Sequence, residues 1–372
     1  MINMIQGENN KTSLDKFASL VHKCIAQFRL LLRHRRAKKQ DNLYLSLVKD
    51  ISKRELTPNQ RKSINDLFSK YVKIRYNSHI FYTASTGFFS EKYIPDSLWT
   101  NYIDQYYNDW AAANVIDNKV LYPTLFADVK QPKMIVYRSN GFWYNEGGKI
   151  IEFDKAINLI MSQADCFIKR AQNSWGGKGV FYFSSNTNNV DYLIEIINRI
   201  PVDIVVQESI KQSSTLSRLN SDSVNTVRIL SFLSNDGTVK IYSSILRMGI
   251  AGAKVDNASS GGISCGIQED GRLKNKAYSN TGILFYEHPS SKVKFDDICV
   301  PNFSKMKDLV NNLHPKFPHF RMIGWDIACD YNDDPILIEA NFCDSELDFH
   351  QLNNGPIFSD DIEMILSEVF KK

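Results

Sequence analysis

Apolar residues recur at spacings of three and four through "LDKFASLVHKCIAQFRLLLRHRR", the period of one helix face, and residues 11–75 as a whole read as helices. "TPNQRKSINDLFSKYVKI" opens on Thr57, an N-cap residue type, with Pro58 at the first helical position, where its missing N–H is not needed. The texture changes near residue 115. "NKVLYPTLFADV" reads as a helix, and "KMIVYRS" and "GFWYNEGG" as short strands. "EFDKAINLIMSQA" and "VDYLIEIINRI" have helical spacing, whereas "DCFIKRA", "GVFYFSS" and "DIVVQESI" are compact strand-like runs. "NTVRILSFLS" and "TVKIYSSILRMGI" are joined by "NDG", a hairpin turn sequence. "FPHFRMIGWDIACD" and "DPILIEANF" form another strand pair, and the helix "DDIEMILSEVF" closes the chain. Strands connected mostly by hairpins, with helices between them, predict an α+β chain rather than a doubly wound parallel sheet.

The 372 residues suffice for two or three packed units, and 43% hydrophobic with 23% charged residues is ordinary for a globular protein. A net charge of +4 gives no reason to expect a nucleic-acid partner. No apolar run approaches about 18 residues, and the start "MINMIQGENNKTSLDKF" lacks a basic segment followed by an apolar core, so a cytoplasmic location is expected. Six cysteines without a CxxC pair argue for reduced thiols and against zinc. The basic run Arg33, His34, Arg35, Arg36, Lys38 and Lys39 suits a solvated helix C-terminus. It also suits peripheral contact with the inner face of the cytoplasmic membrane or with a lipid-linked glycan. The aromatics crowding 81–110 are expected to be core or an interdomain face.

Four features carry chemistry. The first is the loop "SWGGKG" between two strand-like runs, with Ser174, Gly176, Gly177, Lys178 and Gly179. It matches neither the P-loop nor the dinucleotide fingerprint, but a glycine hairpin lets backbone N–H groups approach phosphate closely. Lys169, in the preceding run, is placed to add a positive charge; a plain surface turn is the alternative. The second is "GWDIACDYNDDPILIEAN": Glu339 and Asn341 share one face of a strand, and Asp326 can pair beside them. Two carboxylates and an amide oxygen among apolar residues suit Mg²⁺. The third is "VVQESIKQ", where Gln207, Glu208, Ser209 and Ile210 end a strand with polar backbone that can meet an adenine edge. The fourth is Arg228 and Arg247, each in an apolar strand-like run, where a buried guanidinium needs an anionic partner: a carboxylate or a phosphate.

In this order, lysine, glycine hairpin, strand-end "QES", two arginines and D…E-x-N, the sequence resembles the ATP-grasp superfamily over about residues 100–355. "SVNTVRI", "SSGGI" and "EANF" are most similar to the subgroup associated with sugar transfer and surface polysaccharides. The resemblance implies an ATP-grasp fold of two α+β lobes gripping ATP. Its division would be a helical N-terminal region at 1–95, a first lobe at 96–206 and a second lobe at 207–372. It implies that Lys119 touches phosphate, although by itself Lys119 looks like a surface residue at a helix start. It also implies that Asn257, Ser260, Gly261 and Gly262 face the substrate. The implied cofactors are ATP and Mg²⁺, with Mg²⁺ on Asp326, Glu339 and Asn341 and catalytic roles for Lys169, Arg228 and Arg247. The implied activity is carboxylate–amine ligation through an acyl phosphate, with a small-molecule carboxylate and an amine or glycan precursor as substrates. A phosphotransferase acting on a hydroxyl, and a nucleotide-binding accessory protein, stand as alternatives.

Overall fold

The computed structural model of the chain describes residues 35–172, 179–250 and 261–370, with positions 21, 28 and 32 of the N-terminal helix. The expected helix starting at Thr57 forms over Pro58–Phe68. Thr57 Oγ1 accepts from the Gln60 N–H (3.2 Å) and Gln60 Oε1 accepts from the Thr57 N–H (2.9 Å), so two donors at the helix start are satisfied reciprocally. No described helix is long and apolar enough to cross a membrane.

Two antiparallel sheets follow. The smaller contains β1 (Met134–Ser139), β2 (Phe142–Asn145), β3 (Ile150–Ile151), β4 (Asp165–Arg170), β5 (Val180–Ser184) and β6 (Ile204–Glu208), in the order β3-β2-β1-β6-β4-β5. Helices Phe153–Met161 and Val190–Arg199 cover one face through Ile157, Ile160, Leu193 and Ile196 against Val136, Ile168 and Val206. Strand alternation therefore turns Lys169 and Gln207 to the opposite face. The larger sheet contains β7 (Thr226–Leu233), β8 (Val239–Met248), β9 (Ile263–Ile267), β10 (Leu273–Ser279), β11 (Leu284–Phe285), β12 (Met322–Cys329) and β13 (Pro335–Asn341), in the order β11-β10-β9-β8-β7-β12-β13. Val227, Ile229, Leu246, Trp325 and Ile327 on one face pack with the helix Phe303–Leu313. The other face carries Arg228, Arg247 and Asp326, and helix Asp348–Asn354 crosses it.

The segment 118–129, expected to be a helix, forms a single turn at Tyr122–Leu125. Pro123 is tolerated only in a first turn, and Gln131 Nε2 donates to the Phe126 carbonyl (2.7 Å) where the turn ends. The residues before Tyr122 serve a tertiary role instead: the Lys119 N–H donates to the Ala171 carbonyl at the end of β4 (2.9 Å).

Residues ahead of 96 share a core with the larger sheet. Ile64, Phe68, Phe81, Tyr82 and Tyr93 pack with Leu230, Phe232, Met322 and the C-terminal helix Ile362–Phe370. Within this core Tyr82 Oη donates to Asp96 Oδ2 (2.6 Å). Burial pushes the Asp96 carboxyl up to about 7 despite hydrogen bonds from Tyr82 and Tyr44; burial also raises Asp348, with Glu346 and Asp96 adding to it. The unfolded chain releases the Asp96 proton near the ordinary value of 3.8, whereas the folded chain keeps it to about 7. Folding is therefore penalised increasingly as pH rises between those values, and constantly above them. Asp96→Asn, which cannot titrate, is expected to exceed wild-type stability at about pH 8 and to lose that advantage at about pH 4, as read by urea unfolding at the two pH values.

Candidate functional site

The register of the larger sheet gathers the site. β12 and β13 set Asp326 opposite Glu339 and Gly324 opposite Asn341. β7 sets Arg228 opposite Asp326, and β8 sets Ile245 opposite Arg228 with Arg247 two residues on. Cross-strand partners project from the same face, so these four strands place two carboxylates, an amide and two guanidinium groups together.

Arg228 grips Asp326 with a fork: Nε donates to Oδ1 and Nη2 to Oδ2, both at 2.6 Å. Arg247 Nη1 reaches Oδ2 at 3.4 Å, and Asn341 Nδ2 lies 3.5 Å from the same oxygen. Arg228, Arg247 and Asp326 are all buried. Burial alone would raise the Asp326 carboxyl; Arg228 and then Arg247 outweigh it and hold it below the ordinary carboxylate value. Arg228 also meets Glu346 Oε2 at 3.3 Å, a residue that sequence reasoning did not select.

Lys119 is 4% exposed, and its Nζ donates to Glu339 Oε1 at 2.7 Å. Burial would lower its pKa, but Glu339, Asp117 and Asp326 together raise it, so the lysine stays charged. Asp117 is a second residue that the sequence did not single out: burial pushes it up to about 6, against the pull of Lys119 and with a further push from Glu339. Tyr122 seats the same segment, with Oη 3.3 Å from both the carbonyl oxygen and the N–H nitrogen of Ala340, between Glu339 and Asn341.

On the smaller sheet, β4 and β6 pair with Phe167 opposite Gln207 and Lys169 opposite Val205. Lys169 Nζ donates to Gln207 Oε1 at 3.1 Å, joining the lysine to the first residue of the strand-end segment. Glu208 continues the strand, its N–H bonded to the Lys133 carbonyl (3.0 Å) and its carboxylate 3.6 Å from Lys133 Nζ. Ser209 Oγ is buried and takes no hydrogen-bond partner among the described residues; Ile210 is half-buried. Of the glycine hairpin, Ser174, Gly176, Gly177 and Lys178 lie outside the described residues. Gly179 is described: its φ is +75°, and a Cβ there would collide with the Arg170 side chain, so glycine is required. Asn257 and Ser260 also lie outside the described residues, as do Arg33 and His34 of the basic run. Gly261, at φ +84°, and Gly262 lead directly into β9.

Two carboxylates and an amide carbonyl on adjacent strands suit a hard divalent cation. Asn341 Nδ2 is committed to the Gly324 carbonyl (3.0 Å), which leaves Oδ1 as the donor atom to a cation. Glu339, a quarter exposed, is the carboxylate that solvent reaches most easily; Asp326 is nearly enclosed.

The chain is similar in structure to several solved proteins. One is the ATP-grasp ligase PsnB complexed with minimal precursor (12% identity, 70% of this chain and 64% of that chain covered, TM-score 0.39). Another is N5-carboxyaminoimidazole synthetase from Staphylococcus aureus complexed with ADP (10%, 71% and 54%, TM-score 0.41). A third is D-alanyl-alanine synthetase A from Vibrio cholerae O1 biovar eltor (13%, 68% and 64%, TM-score 0.39). The chain thus spans less than two thirds of the length of each of these three. No curated protein matches it. The family profile described as sugar-transfer associated ATP-grasp matches residues 97–365, a span holding every element of both sheets and both ion-paired clusters. The chain belongs to the sugar-transfer associated ATP-grasp family.

Proposed function

We propose that the chain is an ATP-dependent carboxylate–amine ligase that joins an amine or amino acid to a sugar acid of a surface glycan. One arrangement supports the reading. Lys119 bonds Glu339 on the larger sheet through its side chain and the end of β4 on the smaller sheet through its backbone. The strand bearing Lys169 is thereby fastened next to the edge bearing Asp326, Glu339 and Asn341. The family's association with sugar transfer supports the sugar acid as one substrate.

In this reading Lys169 and Lys119 hold the phosphates, and Gln207 through Ile210 meet the adenine. Glu339, Asn341 and Asp326 would hold Mg²⁺, which would offset the negative charge of the phosphate oxygens. A substrate carboxylate oxygen forms a bond to the γ-phosphorus as the bond between that phosphorus and the ADP oxygen breaks. The amine nitrogen then bonds to the acyl carbon, inorganic phosphate departs with the C–O bonding pair, and the amine proton passes to solvent. Arg228 and Arg247 offset the charge on the transferring group, and positioning supplies most of the acceleration. Gly261 and Gly262 face the acceptor in this reading; Asn257 and Ser260, outside the described residues, are assigned to it by the family resemblance alone. The exposed basic residues Arg35, Arg36, Lys38 and Lys39 bring the enzyme to a lipid-linked precursor at the inner membrane face.

The deciding experiment measures ADP release with a panel of hexuronic acids, each with and without amino acids. Amine-dependent release with an amide product is expected. Amine-independent release with a phosphorylated product would mark a phosphotransferase, and nucleotide binding without any release would mark an accessory protein. Lys169→Ala is the cleanest variant because Lys169 is only half-buried, and it is expected to lower kcat/KM for ATP by about 100-fold or more with unchanged thermal stability. Asp326→Ala behaves differently: it leaves two buried guanidinium groups without their carboxylate and should cost about 3–5 kcal/mol of stability by urea unfolding, besides abolishing ADP release.

A further inference from the structure

Helix Asp348–Asn354 lies on the face of the larger sheet that carries Arg228, Arg247 and Asp326. Two of its side chains, His350 and Asn353, are three residues apart and so share one helix face. Each is tied down at one end. His350 Nδ1 is 2.7 Å from Ser243 Oγ on β8, and Asn353 Nδ2 donates to Ser264 Oγ on β9 at 2.7 Å. Each also has a buried polar atom with no partner among the described residues: Nε2 of His350, a residue without exposed surface, and Oδ1 of Asn353, which is 9% exposed. Unpaired buried polar atoms are rare enough in native proteins that each needs a cause.

Their place in the sheet supplies one. Ser243 and Arg247 lie on the same face of β8, and Ser264 stands opposite Arg247 in register. The two unpaired atoms thus belong to side chains anchored near Arg247, one four residues back along β8 and one directly across on β9. His350 lies near enough to Arg228, Asp326 and Arg247 to feel the charge of each.

Asn354 Nδ2 donates to Ser243 Oγ (2.8 Å) and to the Ser244 carbonyl (3.0 Å), and among the described residues the one acceptor in reach of the Ser243 hydroxyl hydrogen is His350 Nδ1, so the hydroxyl is satisfied by donating there. Burial, and then the Arg228 charge, push the imidazole pKa down to about 3, so the ring is neutral. The one ring proton is therefore on Nε2, the unpartnered atom. Asn353 offers the complement, an acceptor that cannot act as a base.

On the ligase reading above, we propose that His350 and Asn353 form the subsite for the reacting acyl group and its amine. His350 Nε2–H donates to the carboxyl oxygen of the acid substrate, which becomes the acyl-phosphate carbonyl oxygen and gains negative charge as the amine attacks. Asn353 Oδ1 accepts an N–H of the attacking amine and fixes its approach; it removes no proton.

The test uses the full chain with ¹⁵N-labelled histidine, the His350 signals being assigned by their absence in His350→Gln. Across about pH 6–8 the ring should remain neutral with its proton on Nε2. Acetyl phosphate, added to the complex with Mg²⁺ and ADP, should shift the Nε2 resonance. His350→Gln keeps an N–H donor and should bind acetyl phosphate within about threefold of wild type; His350→Phe should weaken it by about tenfold, with ADP affinity unchanged in both. If His350→Phe does not fold, the resonance shift and His350→Gln still decide. A proton on Nδ1, or a silent Nε2 resonance in a chain that binds Mg²⁺ and ADP, overturns this inference alone. Failure to bind Mg²⁺ and ADP overturns it together with the ligase reading.

Discussion

Asp326 and Glu339 stand opposite one another on neighbouring strands, and two such carboxylates repel unless cations close around them. Arg228, Arg247 and Lys119 do so, all three buried. A buried pair of this kind is poor evidence of extra stability, because desolvation offsets most of the Coulombic gain, but losing one partner is costly. The network therefore fixes geometry more than it adds free energy. It holds the register of β7, β12 and β13 and keeps the Asp326 carboxyl ionised in an apolar setting.

Lys119 extends that constraint from one sheet to both. Its neighbour Val120 packs with Met134, Ala171 and Val205, so the turn around it is seated by apolar contacts of the smaller sheet while Nζ bonds the larger one. Tyr122, three residues on, contacts the backbone of Ala340. A short irregular segment with little secondary structure of its own thus sets how β4 lies relative to β13.

Much of the site was legible because it follows strand alternation. Glu339 and Asn341 two apart, an aspartate on the adjoining run, and two arginines embedded in apolar strands all project as the period of two requires. The start of the helix at Thr57 was equally readable, since its capping contacts lie within three residues. Long-range contributions were not. Lys119 matters through residues 52 and 220 positions away, and by local pattern its segment looked helical. Asp117, Glu346 and His350 belong to no periodic run, and their environments exist only after the sheets and helix Asp348–Asn354 have assembled. β9, β10 and β11 likewise escaped notice, being short and rich in polar residues that are recruited by pairing with longer neighbours.

The family match begins at residue 97, but the core beneath the larger sheet does not. Tyr44, Leu56, Ile64, Phe68, Phe81 and Tyr93 close it from the amino-terminal side, against Leu352, Ile362 and Leu366 near the other end of the chain. Shortening the protein to its recognisable family portion would strip one wall from that core and bare an apolar surface large enough to drive self-association. The helices that carry no family signature thus act as the outer casing of the sheet on which the ion-paired residues stand. Insertions, fusions or swaps among relatives should treat them as one inheritance with that sheet, to be moved together or not at all.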